Sequence, residues 1–197
     1  MIKTTVNTKD LLHAIKKAEK TKAKSSYADN PLSNVSMKFK GRYIEFCTTD
    51  GNYLNLTKIE SDIPTDENIE VKFEPTIVLN YLKSLGKAPK VEIIYEDRLK
   101  FSCFGSELTV MCSHTGYPKY EQLIQGYDVE NDFKEIGRTS NIQKICINRK
   151  YLKNILDTMS DDEIEIKFDR DNNLVPLELA NHKNNYEYAM LMPIEMI

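Results

Sequence analysis

One order of elements recurs three times along this chain, and that recurrence constrains the fold more than any other feature of the sequence. In the first block, Ile2–Val6 alternates as a strand, and Thr8 can cap a helix that turns Leu11, Leu12 and Ile15 inward. Strands are expected at Asn34–Lys40, Arg42–Thr48 and Asn52–Glu60, separated by turns at Gly41 and Asp50-Gly51. The second block has a strand at Ile69–Phe73 and a helix that starts at Pro75, where a missing N–H costs nothing. That helix buries Ile77, Val78, Leu79, Tyr81, Leu82 and Leu85, stops at Gly86, and precedes strands at Lys90–Tyr95, Arg98–Cys103 and Glu107–Ser113. The third block repeats the order: a strand at Lys144–Ile147, then a helix at Arg149–Met159 with Tyr151, Leu152, Ile155 and Leu156 inward. Strands at Glu163–Phe168, Leu174–Ala180 and Tyr186–Pro193 complete it. Val6, Phe73 and Ile147, each two residues ahead of a helix, lie 67 and 74 residues apart.

A small sheet under one helix is a thin layer that must pack against a copy of itself. The expected fold is α+β: three repeated β-α-β-β-β half-domains with their helices on one face of antiparallel sheets. Residues 1–124 then form one complete domain from half-domains 1–62 and 63–124. Residues 125–139, which carry Gly126, Gly137 and several acids, form a linker, and 140–197 form a single half-domain. Hydrophobic residues at 41% and charged residues at 29% of a 197-residue chain are those of a globular protein, not of a disordered one. The longest apolar run, Ala189–Ile194, is too short to span a bilayer, and the first residues lack the apolar core of a secretory signal. Scattered cysteines (Cys47, Cys103, Cys112, Cys146) read as reduced strand residues, so a cytoplasmic protein is expected.

The net charge of −3 hides a bias. Residues 8–24 hold Lys9, Lys16, Lys17, Lys20, Lys22 and Lys24 against Asp10 and Glu19, and the later helices add Lys83, Lys87, Arg149, Lys150 and Lys153. The acids concentrate in strands and connections. A basic helix surface on an acidic protein points to an anionic partner such as nucleic acid. Catalytic signatures are missing. All seven glycines are isolated, which excludes a phosphate loop or dinucleotide fingerprint. The sequence Asp169-x-Asp171-x-Asn173 begins like a calcium loop, but Leu174 takes the glycine place and Ala180 that of the bidentate glutamate. His13, His114 and His182 have no ligand spacing. No metal, cofactor or enzymatic activity is expected.

Three segments carry a resemblance. The turn Phe46-Cys47-Thr48-Thr49-Asp50-Gly51-Asn52-Tyr53-Leu54 resembles the "ATDG-x-x-L" turn in the middle domain of the bacterial DNA polymerase III β subunit, the sliding clamp. Gly116-Tyr117-Pro118-Lys119-Tyr120 resembles the "G-[FY]-P-x-Y" segment that closes that domain, and Ala189–Met196 resembles the clamp's terminal "Y-x-x-M-P-[MVI]-R-L". The β-α-β-β-β repeat is also the clamp half-domain. Residues 1 to about 124 resemble the middle domain, and those from about 140 onward the second half of the last one.

The resemblance implies a DNA replication accessory protein, a processivity and recruitment factor that binds and does not catalyse. Its basic helices would contact duplex DNA without reading sequence, through Lys9, Lys16, Lys17, Lys20, Lys24, Lys83 and Arg149. Carried over position by position, a pocket for short motifs of polymerases and clamp-loader subunits would use Leu32, Thr49, Gly51, Tyr53, Leu54, Pro118 and Leu123, together with Met190, Leu191, Met192 and Pro193. Gln122 and Glu195 stand where the family usually has basic residues. The alternative is a truncated clamp mimic that captures such motifs as a regulator or decoy without encircling DNA. Finally, block three has no partner block within the chain. Its sheet edge and helix flank are expected to be exposed, and residues 140–197 to self-associate into a homo-oligomer.

Overall fold

The computed structural model describes residues 1–24, 30–65, 68–121, 147–169, 175–181 and 187–193. In block one, β1 (Ile2–Asn7) leads into α1 (Thr8–Thr21), then β2 (Val35–Thr49) and β3 (Tyr53–Thr65). Block two is β4 (Glu70–Phe73), α2 (Pro75–Ser84), β5 (Lys90–Tyr95), β6 (Leu99–Cys103) and β7 (Ser106–Val110). Block three comprises α3 (Arg149–Leu156), β8 (Ile164–Lys167), β9 (Leu177–Asn181) and β10 (Glu187–Leu191). The strand expected at Lys144–Ile147 and the linker 125–139 lie outside the described residues, apart from Ile147, which is not in a strand.

Each helix starts with the same device. Asn7, Glu74 and Asn148 accept from the backbone N–H two residues on, at Lys9 (2.8 Å), Thr76 (3.1 Å) and Lys150 (2.9 Å). An otherwise orphaned donor is satisfied in each case. The cap of α1 is therefore Asn7, not Thr8, which lies buried inside the first turn.

Among the described residues ten antiparallel strands form one sheet in the order β7-β6-β5-β1-β3-β10-β9-β8, with β2 branching from β3 and β4 pairing with β2. Blocks one and two exchange their leading strands. β1 pairs along the whole of β5, from Ile2↔Tyr95 to Asn7↔Lys90, and β4 pairs with the first part of β2, Val35↔Phe73 to Lys38↔Glu70. The two strands expected on either side of Gly41 form one run, β2, which changes partner there. Its second part pairs with β3, and the register shifts at Gly41, whose φ of +56° suits glycine. Helices α1 and α2 cover a core of Leu11, Ile15, Phe39, Ile44, Phe73, Val78, Leu82, Ile93 and Phe101, in which Phe73 and Phe101 meet edge to face at 5.9 Å.

Block three attaches to block one. β10 adds to β3 antiparallel over five residues, Glu187↔Thr57 to Leu191↔Tyr53, so one of its edges is covered within the chain. That corrects the expectation of a block without a partner. The long β3 makes this possible, because β1 meets it at Ser61 and leaves Tyr53–Thr57 free for β10. Alternation along β9 and β10 sends residues to two clusters. Leu177, Leu179, Ala189 and Leu191 pack with Ile155 and Tyr53, while Ala180, Tyr188 and Met190 pack with Cys47, Leu54, Leu56 and Tyr120. Two residues expected inside are exposed, Ile77 on α2 and Leu156 (41%) on α3, each on the flank of its helix away from the sheet.

Candidate peptide groove and basic helix face

The turn after β2 is held by its own side chains. Thr49 Oγ1 donates to Tyr53 O at 2.7 Å and accepts from Gly51 N at 3.1 Å. Asp50 Oδ1 accepts from the N–H groups of Asn52 (2.9 Å) and Tyr53 (3.2 Å), and Gly51 takes a φ of +93°. The Thr-Asp-Gly sequence is thus what this turn needs locally. It fixes Tyr53 and Leu54 at the start of β3, against which β10 pairs, and Met192 N donates to Asn52 O at 3.3 Å to carry the pairing past the strand end.

A second segment is pinned from outside. The Tyr117 hydroxyl donates to Cys47 O at 3.2 Å and lays Pro118 and Tyr120 along β2. Tyr120 is buried, with the Lys38 ammonium 4.7 Å from its ring centroid, and Lys38 also pairs with Glu121. Burial pushes the Tyr117 and Tyr120 phenols well above their usual range and Tyr53 up to about 12, so all three stay neutral. A third wall comes from Leu32 in the 3-10 turn Pro31–Ser33, capped by Asn30.

These walls enclose an apolar groove of about 230 Å³ lined by Leu32, Thr49, Gly51, Asn52, Tyr53, Leu54, Pro118, Tyr120, Pro176, Met190 and Met192. The volume lies below that of small-molecule sites and suits one or two apolar side chains of a peptide. Eight residues singled out from the sequence line it: Leu32, Thr49, Gly51, Tyr53, Leu54, Pro118, Met190 and Met192. Leu191 does not, because strand alternation turns it into the cluster under α3, where it is fully buried. Pro193 lies beside the groove without lining it, and Leu123 is outside the described residues. Asn52, Tyr120 and Pro176 were missed. The first two sit inside the motifs already quoted, and only strand pairing brings Pro176 across.

On the helix side, Lys9, Lys16 and Lys20 are exposed and fall on one stripe of α1, since seven and four residues are close to whole turns. Lys24, Lys83 and Arg149 are also exposed. Lys17 is not part of this surface. One residue beyond Lys16 it is turned by about 100°, and its side chain is 3% exposed and ion-paired with Glu187. Glu187, itself buried, also accepts from Ser160 N (2.8 Å) and Ser160 Oγ (2.9 Å), meets His13 Nε2 at 2.8 Å, and takes a hydrogen bond from Asn181. Burial would raise its pKa, but the hydrogen bond from His13, the Lys17 charge and the Ser160 N–H hold it well below the carboxylate range. Lys17 is lowered by burial, which Glu187 only partly offsets. The pair is a structural tie between α1 and β10.

Among the described residues no three His, Cys, Asp or Glu side chains group as a metal site, and no helix is long and apolar enough to cross a membrane.

No protein-family model and no curated protein sequence matches this chain. Solved structures do match its fold. The DNA polymerase III β subunit of Thermotoga maritima superposes with a TM-score of 0.80 at 16% identity, over 100% of this chain and 66% of that one. The sliding clamp of Bacillus subtilis gives 0.78 at 16%, covering 65% of its chain. That of Pseudomonas aeruginosa, bound to griselimycin, gives 0.80 at 12% and 66%. This chain has the sliding-clamp fold in a shortened form, spanning about two thirds of those proteins.

Proposed function

We propose that this chain is a shortened, non-enzymatic clamp-like accessory factor of DNA replication, working in the cytoplasm. It holds short apolar motifs of polymerases or clamp-loader subunits in the groove and lies on duplex DNA, without sequence preference, through the helix face. The observation that carries the reading is the convergence of Thr49–Leu54, Pro118–Tyr120 and Met190–Met192, far apart in sequence, around one apolar groove. Methionines at 190 and 192 suit a surface that accepts several peptides, being flexible and polarisable. Lys9, Lys16, Lys20, Lys24, Lys83 and Arg149 form the DNA contact, and Lys17 is withdrawn from it. A stripe of lysines that a peptide decoy would not need favours this over a mimic that never touches DNA. The domain division follows the same reading, with 1–124 as a complete domain and 140–197 as a half-domain. The half-domain self-associates through β8, beyond which no strand lies among the described residues and where Ile166 and Phe168 are exposed.

The test is duplex affinity as a function of salt. Each neutralised phosphate adds about −0.9 to the log–log slope. Replacing Lys9, Lys16 and Lys20 by glutamate should weaken binding at every sequence and flatten the slope. An unchanged affinity and slope would refute the DNA contact.

A further inference from the structure

We propose that β7 is a docking edge for the β7 of a second copy of this chain, the two strands pairing antiparallel across a twofold axis. The internal pairing supplies the template. β3, β7 and β10 are each the last strand of their block, and β3 and β10 pair with one another antiparallel over five residues. β7, also five residues long, ends the sheet, and among the described residues no strand lies on its outer side.

Sheet ends are normally blunted by lysine, proline, a bulge or a covering segment. One other margin, β4, shows such protection. The stretch after β7 covers β4, where Ser113 N donates to Lys72 O at 2.7 Å and Lys72 Nζ to Thr115 O at 3.1 Å. β8, at the far end of the sheet, is screened only in part by Glu165 and Lys167. β7 reads Ser-Glu-Leu-Thr-Val, has neither lysine nor proline, and keeps unbroken register with β6 from Cys103↔Ser106 to Leu99↔Val110.

The hairpin also fixes which groups face outward. Its two-residue loop, Phe104-Gly105, has positive φ at both positions (48° and 81°), as a type I′ turn requires, and the pair that closes such a turn is hydrogen-bonded. Ser106, Leu108 and Val110 therefore point their backbone groups at β6, while Glu107 and Thr109 present theirs to the open side. A twofold through Leu108 sets each Glu107 opposite Thr109 of the other copy, so the one charge of the strand does not meet itself. Glu107 is moreover neutralised by Lys100 at 3.1 Å. Phe104 and Met111, at the two ends of β7, are 84% and 92% exposed and give the contact apolar area to cover. This contact does not depend on the DNA or peptide reading. Where residues 140–197 also self-associate, the two contacts alternate along the assembly, and a closed assembly then holds an even number of chains.

Sedimentation analysis of the full chain, with Thr109→Pro alongside, tests it. Proline at an outward position removes no bond to β6, so the circular dichroism spectrum should be kept while the assembly mass halves. A second readout needs no variant: the Glu107 and Thr109 amides should exchange at least ten-fold faster on dilution, as dimers dissociate. Equal masses for the two proteins, a monomer at all micromolar concentrations, or concentration-independent exchange at those amides would each overturn the proposal. Failure of the 140–197 contact gives a different pattern, a wild-type dimer that Thr109→Pro turns into a monomer.

Discussion

Block one meets block two through exchanged strands and a helix-covered apolar core, and meets block three through a five-residue ladder and a buried carboxylate. In the first junction, Leu11, Ile15, Phe39, Phe73, Val78 and Phe101 are all but sealed from water. In the second, Glu187 gathers Lys17, Ser160, Asn181 and the partly exposed His13, and Asn55 Nδ2 donates to Thr158 Oγ1 at 3.2 Å. Apolar burial is non-directional and scales with area, so the first junction is strong and tolerant of pH. A buried ion pair gives little net stability while intact but is costly to break from one side. The groove sits on the second junction, so the proposed peptide site inherits its sensitivities.

Breaking the apolar junction should have the largest effect. Phe101→Ala removes the ring that Phe73 packs against and should cost about 3–5 kcal/mol of whole-chain stability in denaturant titration. Glu187→Gln should cost about 3 kcal/mol, because Lys17 stays buried without its counter-charge. Here the loss should be local, read as faster hydrogen exchange in β9, β10 and α3 while β1 and β5 keep their protection. Acid should act on the same junction. The Glu187 pKa is depressed in the folded state, so its contribution is fully present above the unfolded value of about 4.3 and is lost as pH falls below it. Exchange in β10 should rise on acidification before that in β5. Asn55→Ala, which removes one neutral hydrogen bond across the junction, should cost about 1 kcal/mol. The smallest effect should come from Lys3→Ala at the rim of the first junction, where the Lys3–Glu92 pair is half in solvent and contributes under about 1 kcal/mol.

The contrast also decides what could be read from the sequence. The first junction is written in local periodicity: Pro75, the Val78–Leu82 stripe and the alternation in β5 each announce their element, and the repeat spacing announces the pairing. The basic stripe was legible for the same reason, except at Lys17. A lysine next to the exposed Lys16 looks solvated unless one knows that Glu187, 170 residues away, comes to lie beneath it. The attachment of β10 to β3 was hidden because no local signal tells a strand which distant edge it will join. Leu191 was misplaced for a smaller reason. Both faces of β10 are buried, so hydrophobicity alone does not say that Met190 and Leu191 point to opposite sides.

The central claim is that the groove at the second junction holds a short apolar peptide. A fluorescence titration with a labelled pentapeptide of the Gln-Leu-x-Leu-Phe type, the kind the clamp resemblance implies, tests it most directly. The account predicts saturable binding at micromolar strength, lost in Met190→Asp and kept in Ile77→Asp, which changes an exposed residue of α2 that does not line the groove. No binding to the unmodified protein, or equal binding to Met190→Asp, would contradict it.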